Sequence, residues 1–157
     1  MRALNFNTRS AFGALAAVLV MASPALAQTQ YHPISPCRLF DSRKDGPRTP
    51  LTGQEDPGRE ITVKNSCGIP NDATAISYNV TVVNSSAKGF LTMYPAGSSR
   101  PAVSAINFAA GVVQGNGGVV PLASGSPDLT IYLATNPAAG LSHVVLDASG
   151  YFKEPAP

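Results

Sequence analysis

Two groups of residues have the types and spacing to do chemistry. His143 and Asp147 lie four apart in the segment HVVLDASGYF, and a histidine oriented by a carboxylate makes a general base. On an extended strand they share a face with Val145 between them, but positions i and i+4 stand roughly 13 Å apart, too far for contact. No G-x-S-x-G motif supplies an activated nucleophile, so a structural polar pair near a sheet edge is the preferred reading. Arg38, Asp41 and Arg43 form the second group, in RLFDSR. Planar guanidinium forks suit an anion or a sugar carboxylate. The competing reading is an internal ion pair, Asp41 or Asp147 against one of the arginines, that pins the first strand to the last. It is preferred, and a pair of that kind sets register more than it adds net stability. Simple alternation places Leu39, Asp41 and Arg43 on one side of this strand and Arg38, Phe40 and Ser42 on the other. The segment DSRKDG (41–46) lacks the alternating oxygen ligands and closing glutamate of a calcium loop and carries two cations, so no metal and no other cofactor is expected. Tyr31, Tyr78, Tyr94, Tyr132 and Tyr151 could form a sugar-stacking platform, although Tyr78 and Tyr132 fall in core-like patterns and the chain has no Trp.

The elements that must position these residues are strands. In residues 73–95, ATAISYNVTVVNSSAKGFLTMYP, Ile76, Tyr78, Val80 and Val82 alternate strictly with Ser77, Asn79 and Thr81, the period of a half-buried strand. Asn84 to Gly89 is turn chemistry, and Phe90 to Tyr94 resumes the extended pattern until Pro95. Other expected strands lie at 38–43, 59–64, 102–109, 119–123, 129–134 and 143–152, with a fragment at 111–114. Gly115-Asn116-Gly117-Gly118 reads as the strongest tight turn, because these residues accept positive φ at little cost. Residues 44–58 hold much of the charge with three prolines and three glycines, and read as a long, mobile surface loop. Eight or nine strands at this spacing predict an all-β fold, a two-sheet antiparallel β-sandwich, jelly-roll-like or Ig-like.

Residues 1–27 have the marks of a secretory signal peptide: Arg2 and Arg9, the apolar run AFGALAAVLVM, and Ala25-Leu26-Ala27 before Gln28. Residues 28–157 then form a single domain. Loss of Arg2 and Arg9 from the 11 basic residues leaves nine against nine acidic ones. No basic field remains for nucleic acid, and no membrane span is expected after processing. Cys37 and Cys67 are the only cysteines, and export makes them a disulfide rather than a reactive or metal-binding pair.

Five segments in order, PCRLFDSR (36–43), GIPNDATAISYNVT (68–81), GFLTMYPAG (89–97), PAVSAINFAAG (101–111) and HVVLDASGYF (143–152), resemble a β-rich module that recurs in bacterial secreted and cell-surface proteins. That module opens on an R-L-x-D-[TS]-R strand and closes on H-V-V-x-D-x-x-G-Y-F. The resemblance implies a non-enzymatic envelope or extracellular module, periplasmic or secreted, and carries no catalytic residues. Its expected partners are an envelope or extracellular protein, further copies added strand to strand through the proline-rich arm 28–36, or a glycan. The glycan alternative would use the tyrosines with Arg38 or Arg43. A small hydrolase built on His143 ranks last.

Overall fold

The computed structural model describes residues 28–46, 48–55 and 57–155; the leader-like segment 1–27 lies outside them. Among the described residues there are nine strands: β1 (Gln30–Asp41), β2 (Leu51–Thr52), β3 (Arg59–Ile61), β4 (Ala75–Val83), β5 (Lys88–Pro95), β6 (Ile106–Phe108), β7 (Gln114–Pro121), β8 (Leu129–Asn136) and β9 (Leu141–Lys153). They form two antiparallel sheets. The first has the order β1-β9-β4-β7, with β2 also on β9, and the second has the order β3-β8-β5-β6. The fold is the expected β-sandwich.

Alternation explains the layering. Ile76, Val80 and Val82 of β4, Leu91 and Met93 of β5, Leu129, Ile131 and Leu133 of β8, and Val144 and Leu146 of β9 meet in one core. Residues 84–87 do not join β4 to β5 as a hairpin, since the two strands belong to opposite sheets. The chain changes layer at most of its connections, as a sandwich with two amphipathic faces requires. Asn84, at φ 55°, lies in the crossing from β4 to β5, a conformation that asparagine tolerates.

Four expectations about local structure give way. Gly115 to Gly118 is the interior of β7, with Gly115, Asn116, Gly117 and Gly118 in register with Thr81, Val80, Asn79 and Tyr78. A Cβ on Gly118 would stand 2.8 Å from the Tyr78 hydroxyl, so a side chain is missing here because a tyrosine ring fills its place. The segment 44–58 contains β2, which pairs Leu51 and Thr52 with Ser142 and Leu141, and Leu51 is part of the core. The arm at the amino end is docked on its own chain: Tyr31 and His32 are in register with Phe152 and Tyr151. The His32 and Tyr151 rings stack with centroids 5.0 Å apart, and Tyr31 tilts against Phe152 at 5.1 Å, cross-strand contacts that fix register. Residues 102–105 are not part of a strand, and β6 is confined to three residues.

Cys37 and Cys67 form the expected disulfide, with Cα atoms 5.9 Å apart. It joins β1 to the turn after β3, where Asn65, Cys67 and Gly68 have positive φ. Closing a loop of 30 residues' separation restricts the unfolded chain and contributes about 3–4 kcal/mol on the loop-entropy account. Chemical unfolding with and without reductant is expected to show a loss of that size; an unchanged midpoint would contradict it.

Candidate functional site

The charged residues near the start and end of the domain meet on the outer face of the first sheet. A bulge brings them there. Arg38 is in register with Asp147 and Phe40 with Leu146, so two residues of β1 oppose one of β9, and the face pattern shifts by one. Phe40 turns to the core beside Leu146. Asp41, opposite Val145, joins Arg38 and Asp147 on the outer face. Simple alternation had separated Arg38 from Asp41 because it contains no extra residue.

Asp41 is the centre of the cluster and is only 1% exposed. Arg43 donates to its two oxygens from Nε at 2.8 Å and from the terminal nitrogen at 2.7 Å, and the Arg43 amide adds a third bond. The Arg43 guanidinium holds the Asp41 carboxyl far below the ordinary carboxylate range, against the opposing effect of burial. Arg38 also reaches Asp41 at 3.4 Å, while its Nε donates to Asp147 at 2.8 Å and a second nitrogen to the other Asp147 oxygen at 3.2 Å. The hydrogen bond to Asp147 is the main cause of the raised Arg38 pKa. Arg38–Asp147 thus bridges β1 to β9, the internal pairing expected of these residues.

His143 lies elsewhere. Its Nδ1 is 3.0 Å from Ser42 Oγ, and Ser42 Oγ accepts the Val144 amide at 2.9 Å. Ser42 is fully buried, so this serine–histidine contact ties the turn after β1 to β9 and presents no hydroxyl to a substrate. Asp147 is engaged with Arg38 and does not orient the imidazole.

Three of the five tyrosines are withdrawn from a platform. Tyr78, Tyr94 and Tyr132 are buried, and burial raises the Tyr78 pKa. Tyr94 donates its hydroxyl to the Pro57 carbonyl at 2.7 Å, and the Arg100 guanidinium lies 3.8 Å over the Tyr132 ring. Among the described residues no group of three or more His, Cys, Asp or Glu is placed to hold a metal ion.

Sequence reasoning missed a second buried carboxylate. Asp128 is fully buried, and its oxygens accept the Val63 and Lys64 amides at 2.9 and 3.0 Å. This clamps the end of β3 to the start of β8. Its local signal, a Ser-Pro-Asp turn, indicates only a bend. Comparison with protein-family models, curated proteins and solved structures finds no match for the chain.

Because the folded-state pKa of Asp41 is depressed, its contribution is complete above the ordinary carboxylate range. It is lost only as pH falls through the lowered value. Asp41→Asn is therefore expected to reduce stability by about 1–3 kcal/mol at neutral pH and to flatten the acid dependence below about pH 4. Arg38→Ala, which breaks a half-exposed bridge, is expected to reduce it by less than about 1 kcal/mol. Urea unfolding between neutral and acid pH checks both; equal losses for the two variants would contradict the assignment.

Proposed function

We propose that this protein is an exported, non-enzymatic module of the bacterial envelope or extracellular space, and that it acts by protein binding, first of all by pairing with its own copies along β7. The observation that carries this reading is the state of the sheet edges. β1 is interrupted by two register shifts and contains Pro33 and Pro36, which remove donors. β3 and β6 have three residues each. β7 pairs with β4 over eight consecutive residues without a bulge, carries no charged side chain, and is the end strand of its sheet. A long, uncharged edge with unpaired backbone groups is a template for strand addition.

Apolar surface lies beside that edge. Val113 and Val119 are 68% and 58% exposed, and Val103 is 63% exposed. Val103 and Val119 line one hollow of about 340 Å³ with Pro101 and Pro121. The docked arm withdraws residues 30–33 from exchange between copies and leaves β7 as the favoured edge. Export is supported by the leader-like segment 1–27 and by the Cys37–Cys67 disulfide. The resemblance to a recurrent secreted and cell-surface module points the same way. A non-catalytic role is supported by the engagement of Arg38, Asp41, Arg43, Ser42, His143 and Asp147 in contacts within the fold.

The test is the mass of the purified protein by light scattering at roughly 100 μM, a concentration at which a 10 μM dimer is mostly assembled. The expected result is a dimer or larger species that Val119→Lys returns to monomer without lowering the melting temperature. A monomer for the unaltered protein at that concentration would contradict edge pairing.

A further inference from the structure

The outer face of the second sheet has a closed half and an open half. Along β5 the outward residues are Lys88, Phe90, Thr92 and Tyr94, and their β8 partners are Asn136, Ala134, Tyr132 and Thr130. The Tyr94–Tyr132 half is covered, by Arg100 over the Tyr132 ring and by the segment containing Pro57. At the other end Phe90 is 37% exposed, in register with Asn107 of β6 on one side and Ala134 of β8 on the other.

Phe90 is the shared wall of two hollows. One, of about 480 Å³, lies toward β6 and is lined by Phe90, Thr92, Ser104 and Asn107, with Arg100 at its rim. The other, of about 360 Å³, lies toward β8 and is lined by Phe90, Gln54, Lys88 and Asn136. The amides are partly fixed in advance. Asn107 Nδ2 donates to Ser104 Oγ at 3.0 Å, and Gln54 Nε2 donates to the Thr135 carbonyl at 3.2 Å. Each bond leaves the amide oxygen as an acceptor, and a held side chain loses less entropy on binding.

A flat, half-exposed ring between two shallow hollows edged by amides, hydroxyls and one exposed lysine matches the surface chemistry of a sugar chain. Axial C–H bonds of a pyranose pack on an aromatic face, and equatorial hydroxyls or acetamido groups reach the amides beside it. No acidic residue lines either hollow, so a carboxylate on the ligand meets no like charge. We propose that this face, centred on Phe90, binds a β-linked oligosaccharide, one ring on Phe90 and its neighbours in the two hollows, with Lys88 favouring a uronate. The proposal does not rest on pairing along β7, although the larger hollow shares Pro101, Val103 and Ser104 with the hollow beside that edge. It also differs from the expected tyrosine platform, of which Tyr78, Tyr94 and Tyr132 are buried.

The purified protein is titrated with cellohexaose, chitohexaose and a hyaluronan hexasaccharide, by calorimetry and by mapping amide chemical shifts. The expected result is a Kd of about 1 mM or tighter for the hyaluronan hexasaccharide, with shift changes at residues 88–92, 104–107 and 134–136. Phe90→Ala weakens it at least about tenfold with the melting temperature retained, and Lys88→Gln weakens the uronate chain but not cellohexaose. The shift map on the unaltered protein locates the site even if Phe90→Ala does not fold. Binding to none of the three, shift changes confined to other surfaces, or affinity that survives Phe90→Ala in a folded protein would overturn the proposal.

Discussion

Strand β9 takes β1 and then β2 as partners at successive positions along its length, while β4 pairs with it over most of the same span. Its 13 residues therefore set the register of three other strands, and the position of every outward side chain on the first sheet follows from it. Arg38 meets Asp147 because β1 carries a bulge against β9, and Ser42 meets His143 because the turn after β1 stays against the same strand. Side chains suited to acid–base or anion chemistry are used to hold a β-ladder in one alignment. The slip that would exchange the inner and outer faces of β1 would also separate Arg38 from Asp147 and remove Phe40 from the core.

The parts of this arrangement that were legible in the sequence are those governed by strict period two. Ile76, Val80 and Val82 face the core because nothing interrupts their alternation, and Cys37 pairs with Cys67, the only other cysteine in the sequence. What escaped depends on contacts distant in sequence. The bulge in β1 is invisible until β9 is laid beside it. Gly115 to Gly118 has the composition of a turn, and only the Tyr78 ring opposite Gly118 shows why a strand would lack side chains there. Leu51 lies among prolines and charges, and its burial follows from the pairing of β2 with Leu141 and Ser142, where β9 extends beyond the reach of β1. The Asp128 carboxylate clamps amides 65 and 64 positions earlier, a partnership with no local periodicity.

The candidate site divides along the same line. Residue type singled out Arg38, Asp41, Arg43, His143 and Asp147, and the internal ion pairing expected of the charged set is present. Tyr78 and Tyr132 were legible as core-like, but Tyr94 was not, because alternation on β5 does not reveal that the segment containing Pro57 covers the outer face as well. With those groups engaged, the surfaces that better suit a partner are the backbone edge of β7 and the ring of Phe90. Each is simple in composition and is distinguished only by what the fold leaves uncovered around it.

Native-state amide hydrogen exchange followed residue by residue tests most directly whether β9 is the strand on which the others depend. The account predicts that amides of Val144, Leu146 and Ala148, with those of Val82, Val80 and Tyr78 opposite them, exchange only through global unfolding, while outward amides of β7 exchange through local opening at much lower free energy. Local exchange in the middle of β9, or protection across all of β7 in a monomer equal to that of β9, would contradict it.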